Sequence, residues 1–232
     1  MKSTLIIGAS SSLGSSVIKT FRESGHDITA TYAKSYLNID NSENISSIHL
    51  DLTSNESISK FGIDISTQKK NFDLCIFLAG YLPGNAIEDY KNAEIDKVMS
   101  INFSGFVKLY KHILPKFNDN AQVIIVSSVS GQRGSYDPVY AASKAALIAF
   151  MKSLSQVSPL KVRANAVAPA LISNTSMFND MDSSRQKFHI NQSPTGRLTY
   201  PEDLSKIILD ISRSHWSNMN GAIVQINGGS YV

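Results

Sequence analysis

The chain has 232 residues, a length that suits one large α/β domain and is too short for two of ordinary size. Hydrophobic residues make up 42% and charged residues 18%, which favours a globular protein with a core over a disordered segment. The net charge is only +3, so neither nucleic acid nor an anionic membrane is indicated as a partner. Because only Leu5–Ile7 is apolar before Gly8, and no apolar run reaches about 18 residues, we expect a soluble, cytoplasmic protein.

Short apolar runs alternate with amphipathic stretches of helix length along the whole chain. This pattern is typical of repeated βαβ units and predicts a doubly wound α/β fold, with a mainly parallel seven-stranded sheet and helices on both faces. The predicted strands are Leu5–Ile7, Ile28–Tyr32, Ile48–Leu52, Leu74–Leu78, Val123–Val126, Val162–Val167 and Ile223–Ile226. The predicted helices cover residues 14–24, 93–114, 140–157 and 201–212.

Two segments lack clear apolar periodicity. Residues 38–44 are polar, which predicts a short or irregular crossover between the second and third strands. Residues 173–195 are polar and irregular with scattered Met and Phe residues, and such a segment inside a compact domain is more often a functional lid than a plain connector. We therefore predict a single domain over residues 1–232, with a substrate lid at 173–195. Cys75, the one cysteine, lies in an apolar strand and is expected to be an inert core thiol.

A glycine- and serine-rich turn, residues 8–14, follows the first strand and opens a helix. At such a turn a dinucleotide pyrophosphate meets free backbone N–H groups and the positive helix end. Gly8 permits the tight turn and Gly14 permits close packing of the helix on the sheet, but Ser12 stands where a middle glycine is expected. For this motif alone, an ordinary strand-to-helix turn is an equal alternative.

Tyr140 and Lys144 lie four residues apart on a predicted helix and therefore share one face. Ser128 follows the fifth strand, at the carboxyl edge where open α/β sheets bind ligands. A neighbouring ammonium would lower the pKa of a tyrosine from about 10 by favouring the phenolate. Ser128 could donate a hydrogen bond to a substrate oxygen on which negative charge develops. Asn102 is a further polar candidate, with hydrogen bonding to nearby backbone as an equal alternative.

The order of these motifs resembles that of the short-chain dehydrogenase/reductase family, from Leu5 to Gly229. The resemblance implies a Rossmann-type fold and a nicotinamide cofactor. Asn102, Ser128, Tyr140 and Lys144 fall where the family has its catalytic tetrad, in which the Tyr is the general acid or base. The Lys of that tetrad also holds the nicotinamide ribose, and the Asn positions a water for proton relay. We assign no metal ligands.

Further matches to the family imply where the cofactor lies. Residues 51–52 resemble its adenine-contacting segment, and residues 79–80 the end of its Asn-Asn-Ala-Gly segment. Residues 165–169 resemble the strand that leads to its Pro-Gly corner, and Ile172 would lie against the nicotinamide carboxamide. The implied cofactor-binding residues are Gly8, Ser10, Ser11, Ser12, Leu13, Gly14, Tyr32, Lys34, Asp51, Leu52, Ala79, Gly80, Tyr140, Lys144, Pro169 and Ile172.

Four residues depart from the family pattern, and all of them affect the expected cofactor site. Ser12 replaces the middle glycine, and a left-handed backbone there would cost roughly 1–2 kcal/mol. Phe77 and Leu78 replace the two asparagines, and Ala170 replaces the corner glycine.

Cofactor choice depends on the end of the second strand, where an acidic residue would bond the ribose hydroxyls of NAD and repel a 2′-phosphate. Tyr32 and Ala33 offer no carboxylate, and Lys34 follows directly. This predicts a preference for NADP(H) over NAD(H), although an exposed surface lysine is the alternative interpretation.

The leading functional hypothesis is an NADP(H)-dependent oxidoreductase that reduces a small-molecule ketone or 3-oxoacyl compound or oxidises the matching secondary alcohol. The alternative is a catalytically silent, cofactor-binding regulatory protein of the same fold, motivated by the four departures at the cofactor site. The resemblance also implies a homodimer or homotetramer, paired through the helices predicted at 93–114 and 140–157.

Overall fold

The structure is a computed structural model and describes residues 1–34, 44–158 and 161–232. Its strands are β1 (Ser3–Ile7), β2 (Asp27–Tyr32), β3 (Ile45–His49), β4 (Phe72–Phe77), β5 (Phe117–Val126), β6 (Arg163–Pro169) and β7 (Ile223–Ile226). They form one sheet in the order β3-β2-β1-β4-β5-β6-β7, in which every neighbouring pair is parallel. The predicted doubly wound Rossmann-type α/β fold is therefore confirmed, with an entirely parallel sheet.

The helices connect successive strands and pack on the sheet. They are α1 (Ser12–Glu23), α2 (Asn55–Thr67), α3 (Asn92–Met99), α4 (Gly105–Ile113), α5 (Ser130–Arg133), α6 (Pro138–Val157), α7 (Ser176–Asn179), α8 (Ser183–Asn191) and α9 (Pro201–Ile211). Short 3₁₀ turns cover Ile87–Asp89, Leu114–Lys116 and Ser214–Trp216. Among the described helices, none combines the length and apolar character needed to cross a membrane.

Two apolar cores lie on opposite faces of the sheet. One is covered by α2, α4 and α6 and includes Phe61 and Phe106, while the other is covered by α1 and α9 and includes Phe21. Side chains along a strand point alternately to the two faces, so Leu5 joins the first core and Ile6 the second. Each large side chain fully removed from water contributes about 1.5–3 kcal/mol, so both helical layers hold the sheet in place.

Several predicted boundaries are wrong. The third strand is Ile45–His49, three residues earlier than predicted, because Leu50 and Leu52 are buried beyond the end of the ladder. The prediction missed α2 entirely, and β5 begins at Phe117 rather than at Val123. The segment 173–195 is not irregular, because it contains α7 and α8. The polar crossover predicted at 38–44 falls largely on residues 35–43, which lie outside the described residues.

The helix predicted over residues 93–114 is interrupted at its centre. A π-helical turn, Ser100–Ser104, separates α3 from α4. Directly after it, Gly105 approaches the loop that follows β3 so closely that an added Cβ would lie 2.4 Å from the carbonyl oxygen of Leu52. Single π turns inside helices are often found at functional sites, and this one carries Asn102.

Candidate active site

The predicted site residues gather at the carboxyl edge of the sheet. The glycine-rich turn leaves β1, residues 79–80 follow β4, Ser128 follows β5 and Pro169 ends β6. The chain runs from β1 to β2 on one side, while β4 pairs with β1 on the other, so strand order reverses between β1 and β4. Open α/β sheets bind ligands in the crevice formed at such a reversal.

Tyr140 and Ser128 meet through their side chains. Tyr140 lies in the first turn of α6, and its hydroxyl lies close enough to the Ser128 side chain for that side chain to lower the pKa of Tyr140. Ser128 also accepts a hydrogen bond from the backbone N–H of Ser130, with 3.1 Å between Oγ and N. Both side chains are more than nine-tenths buried. The tyrosine hydroxyl is thus held at the end of β5 by a group that can itself bond a substrate oxygen.

Lys144 lies one helical turn after Tyr140 and is almost completely buried. Its Nζ donates a hydrogen bond to the carbonyl oxygen of Val126 at 3.1 Å and lies 5.8 Å from the centroid of the Tyr140 ring. Burial lowers the pKa of Lys144 to about 8 because the charged ammonium is removed from water. Gly80 lies beside this side chain, since an added Cβ there would contact Nζ at 3.4 Å.

The ionisation of Tyr140 differs from the sequence prediction. Burial raises the pKa of Tyr140 to about 12, and although the hydrogen bond with Ser128 lowers it, the negative charge of Asp137 raises it further. The expected low pKa is therefore wrong for this structure, because desolvation of the phenolate has the largest effect and the Lys144 ammonium donates its hydrogen bond to the carbonyl oxygen of Val126. At neutral pH the hydroxyl is held in its protonated form.

Asn102 serves as a fully buried brace between three elements. Its Oδ1 accepts a hydrogen bond from the backbone N–H of Tyr81 at 2.7 Å, and its Nδ2 donates to the carbonyl oxygen of Tyr81 at 3.0 Å. Nδ2 also donates to Oγ of Ser143 at 2.9 Å, and Ser143 is adjacent to Lys144 on α6. Asn102 therefore reaches α6 at the residue before Lys144 and ties the loop after β4 to that helix.

Sequence reasoning missed Asp137, which caps α6. Its Oδ1 accepts hydrogen bonds from the backbone N–H of Tyr140 at 2.8 Å and from the hydroxyl of Tyr90 at 2.7 Å. Its Oδ2 accepts from the backbone N–H of Gly84 at 3.0 Å. The signal was present in the sequence, since an Asp directly before a Pro is a common start of a helix.

The glycine-rich turn offers free donors of the kind that bind a pyrophosphate. Oγ of Ser11 caps α1 by accepting from the N–H of Gly14 at 3.0 Å. The N–H groups of Ser12 and Leu13 have no acceptor within the described part of the chain. Two unpaired amides at a helix N-terminus suit a phosphate group. The side chain of Leu13 packs in the core, so only its backbone is available, while the side chain of Ser10 is exposed.

Ser12 does not carry the strain considered from the sequence. It is the first residue of α1, and the left-handed non-glycine residues of the described chain are Asn120, Lys161 and Asn174. Ala170 has an ordinary backbone for the same reason. Gly8 does need to be glycine, because its φ is +82° and an added Cβ would lie 2.6 Å from the backbone N of Ala79.

Apolar packing replaces the polar brace that the family pattern has at the end of β4. The rings of Phe77 and Phe106 stack with centroids 4.2 Å apart, and both side chains are fully buried. Leu78 is also buried, and its backbone N–H bonds the carbonyl oxygen of Ile7 at 2.9 Å. The backbone therefore still leads residues 79–80 to the crevice, although the two side chains no longer carry amides.

The residues expected around the adenosine also lie together. Oδ1 of Asp51 accepts from the backbone N–H and hydroxyl of Thr53, and these bonds lower the pKa of Asp51 although partial burial opposes them. The positive charges of His49 and Lys34 act on Asp51 in the same direction, so both lie near it. The ring of His49 also packs edge-on against Tyr32 at the ends of β2 and β3. Leu52 is buried in the core beneath this group.

The last two predicted positions follow β6. The carbonyl oxygen of Pro169 accepts from the backbone N–H of Val129 at 3.1 Å, which joins the loops after β5 and β6. Ile172 forms an isolated parallel bridge with Thr199 and packs partly against the α1 and α9 core. Both residues therefore line the same edge of the sheet as Ser128.

A family model described as enoyl-(acyl carrier protein) reductase matches residues 8–231. The solved structure of a short-chain dehydrogenase/reductase, SDR:glucose/ribitol dehydrogenase, from Brucella melitensis superimposes with a TM-score of 0.92 at 24% identity, over 100% of this chain and 97% of that one. The chain belongs to the short-chain dehydrogenase/reductase family. It is therefore an oxidoreductase.

Two further proteins are similar to the chain over nearly its whole length. It is 28% identical to the 3-oxoacyl-[acyl-carrier-protein] reductase FabG of Vibrio cholerae, over 100% of this chain and 98% of the relative. The crystal structure of BdcA in complex with NADPH has a TM-score of 0.87 at 21% identity, over 98% of this chain and 93% of that one. The second likeness concerns the fold alone.

Proposed function

We propose that the chain is an NADP(H)-preferring reductase of a small carbonyl compound, of the ketone or 3-oxoacyl type. The observation that carries the proposal is the buried group at the carboxyl edge of the sheet: the Tyr140 hydroxyl lies near the Ser128 side chain, and Nζ of Lys144 lies 5.8 Å from the centroid of the tyrosine ring. A phenol, a hydroxyl donor and a cation at one point are what a carbonyl oxygen needs as it becomes an alkoxide.

In the proposed reaction a bound nicotinamide supplies a hydride to the carbonyl carbon. The electron pair of the C=O double bond moves to oxygen, where Ser128 donates a hydrogen bond to the growing negative charge. Tyr140 then transfers its proton to that oxygen, which a phenol with a pKa of about 12 does readily because an alkoxide is much more basic. Lys144 stabilises the phenolate that remains. Asn102 holds α6 and the loop after β4 in fixed relative positions during the proton transfer.

The pyrophosphate of the cofactor is proposed to bind the free amides of Ser12 and Leu13. Gly8 and Gly14 keep this turn tight, because an added Cβ would meet the backbone of Ala79 and of Ala9, respectively. The adenosine end is proposed to lie against residues 51–52 and Tyr32, and the nicotinamide end against residues 79–80, Pro169 and Ile172. The proposed substrate lid, residues 173–195, begins directly after Ile172.

Lys34 is the proposed partner of a 2′-phosphate, since it is exposed just after β2 and lies near Asp51 at the adenosine end. We expect Lys34→Ala to raise the Kd for NADPH by about fivefold and to leave the Kd for NADH unchanged, because an exposed charged contact is lost. Fluorescence titration of both cofactors measures this. Lys60→Ala, an exposed lysine on α2, is the matched control. Wild-type preference for NADH would contradict the assignment.

The pH dependence of reduction should follow Lys144. Its ammonium is present below a pKa of about 8 and is lost above it, whereas Tyr140 stays protonated throughout that range. We therefore expect kcat/KM for NADPH-dependent reduction to be level below about pH 8 and to fall as pH rises further. Lys152→Ala, on an exposed part of α6, should leave this profile unchanged. A rate that rises between pH 8 and 10 would contradict the proposed role of Lys144.

The substrate class is tested by measuring NADPH oxidation in parallel with an acetoacetyl thioester, a simple 3-oxo ester and a crotonyl thioester. The name of the Vibrio relative favours a 3-oxoacyl thioester, whereas the description of the matching family model refers to an enoyl thioester. We expect turnover with acetoacetyl thioester or with a simple 3-oxo ester, and none with crotonyl thioester, because the proposed proton donor serves an oxygen. NADPH binding without turnover of any carbonyl compound would instead favour a silent regulatory protein.

A further inference from the structure

Asp137 is placed to control the active site although it does not face the proposed substrate position. The carboxylate is buried, with an exposed fraction of 3%. It accepts three hydrogen bonds, from the N–H of Tyr140, the hydroxyl of Tyr90 and the N–H of Gly84. No salt bridge to this carboxylate occurs among the described residues. A buried charge held only by hydrogen bonds is costly to keep, so its position demands an explanation beyond capping a helix.

Ordinary caps elsewhere in the chain are simpler. Ser11 and Ser54 cap α1 and α2 through one side-chain oxygen each, and Asp182 caps α8 at an exposed site. Asp137 instead links the start of α6 to a segment that lies some fifty positions earlier in the chain, residues 84–90. Asp137 therefore both caps α6 and joins that helix to a segment that is distant in the sequence.

The segment joined in this way, residues 81–90, also carries the other fixed contacts of the active site. Its first residue, Tyr81, is held by Asn102, and Nδ2 of Asn85 donates to Glu94 of α3 at 2.8 Å. The three anchors lie at the beginning, middle and end of the segment. Only the anchor at Asp137 leads directly to the residue that carries the reactive hydroxyl.

We propose that Asp137 is a positioning residue of the active site, which locks residues 81–90 onto the first turn of α6 and thereby fixes Tyr140. The proposal rests on the proposed function of Tyr140 as proton donor. It adds a residue that touches neither substrate nor cofactor and acts through the tyrosine backbone and through its own charge.

The charge of Asp137 gives the proposal a second, electrostatic consequence. Tyr140 is faced by Ser128 after β5, by Lys144 of α6 and by Asp137, and the last of these raises the pKa of Tyr140. Asp137 in turn is faced by Tyr90, beside which lie Glu94 and Tyr81. The carboxylate thus opposes phenolate formation and keeps the hydroxyl available as an acid.

The test compares Asp137→Asn, which keeps a good helix cap but removes the charge, with Tyr90→Phe, which keeps the charge but removes one hydrogen bond. Protein labelled with fluorotyrosine, whose phenol ionises at lower pH, is titrated by fluorine NMR, and the resonance of residue 140 is assigned by its absence in Tyr140→Phe. We expect Asp137→Asn to lower the midpoint by roughly one pH unit, since a like charge is removed. Tyr90→Phe should leave the midpoint unchanged or raise it, because the carboxylate is then less well compensated.

The kinetic arm measures NADPH-dependent reduction of ethyl acetoacetate. Both variants should lower kcat by about tenfold with a smaller change in KM, because a displaced proton donor affects the chemical step more than binding. Asp64→Asn, an exposed residue of α2, is the charge control and should change neither readout.

The outcomes separate the two levels of the proposal. An unchanged midpoint in Asp137→Asn, together with an unchanged kcat in both variants, would reduce Asp137 to a helix cap. If Asp137→Asn does not fold, a kcat unchanged in Tyr90→Phe alone would overturn the positioning role. Failure of the proposed function has a different signature: Tyr140→Phe would retain turnover, while the fluorine titration would still report whether Asp137 acts on Tyr140.

Discussion

Replacing Tyr140 with Phe is expected to lower kcat/KM for carbonyl reduction by roughly 10²–10⁴-fold, the usual contribution of a positioned proton donor. The substitution removes one oxygen, and a single hydroxyl contributes about 1 kcal/mol of folding free energy when it is hydrogen-bonded. The variant should therefore fold normally. The Kd for NADPH from fluorescence titration should stay within about twofold of wild type, because the ring and Lys144 remain in place.

The matched control is Tyr136→Phe, four residues earlier in the chain. Tyr136 is exposed to 66% of its maximum, so loss of its hydroxyl should affect neither rate nor stability. Equal activity of Tyr140→Phe and Tyr136→Phe would exclude Tyr140 as the acid. A loss of NADPH binding in Tyr140→Phe would show instead that the residue acts on cofactor affinity.

Asn102→Ala is expected to damage stability and turnover together. The side chain is fully buried and makes three hydrogen bonds, so its removal takes the partner from the N–H and C=O of Tyr81. Oγ of Ser143 loses one donor but still donates to the carbonyl oxygen of Tyr140 at 2.7 Å. Unpaired buried groups of this kind cost about 1–3 kcal/mol each, partly offset by entering water, and we expect a loss of roughly 2–4 kcal/mol in unfolding free energy. Urea denaturation followed by circular dichroism measures it.

The control for Asn102→Ala is a second buried asparagine, whose replacement should reduce stability without reducing activity. Asn165 on β6 is equally buried and bonds the carbonyl oxygen of Met219 and the N–H of Ala222, both at 3.0 Å, away from Tyr140. Asn165→Ala should lose a similar free energy of unfolding, yet keep kcat/KM near wild type wherever it is folded. For Asn102→Ala we expect kcat/KM to fall at least tenfold under the same conditions, since α6 and the loop after β4 lose their register. Equal kinetics for the two variants would argue against a functional brace.

The sequence predicts the sheet well where strands are continuously apolar. The run around Leu74–Leu78 had to be buried on both faces, and β4 is indeed at the centre of the sheet. Prediction fails at β3, because Leu50 and Leu52 are buried by the core without belonging to the ladder. Burial and strand pairing leave the same apolar signature in a sequence, so the boundary between them could not be read there.

Only some features of the candidate site could be predicted from the sequence. The convergence of Ser128 and Tyr140 could be predicted, since strand ends meet at one edge of a parallel sheet. The high pKa of Tyr140 could not, because it depends on how completely the hydroxyl is buried and on the charge of Asp137. The π turn at Asn102 was also hidden, since it depends on the close approach of Gly105 to the loop after β3 and leaves no periodic pattern.

The stacked rings of Phe77 and Phe106 also restrict how this sequence can diverge. Where the family pattern has an asparagine, Phe77 fills a space bounded by a ring that itself packs edge-on against Phe150 and Tyr110. An amide introduced at position 77 alone would face that aromatic surface without a partner and leave a void, each of which costs several kcal/mol. Substitutions at positions 77 and 106 are therefore expected to be epistatic. Each one alone should destabilise the fold, whereas the two together should be tolerated. A return to asparagine at position 77 would thus require a simultaneous change at position 106.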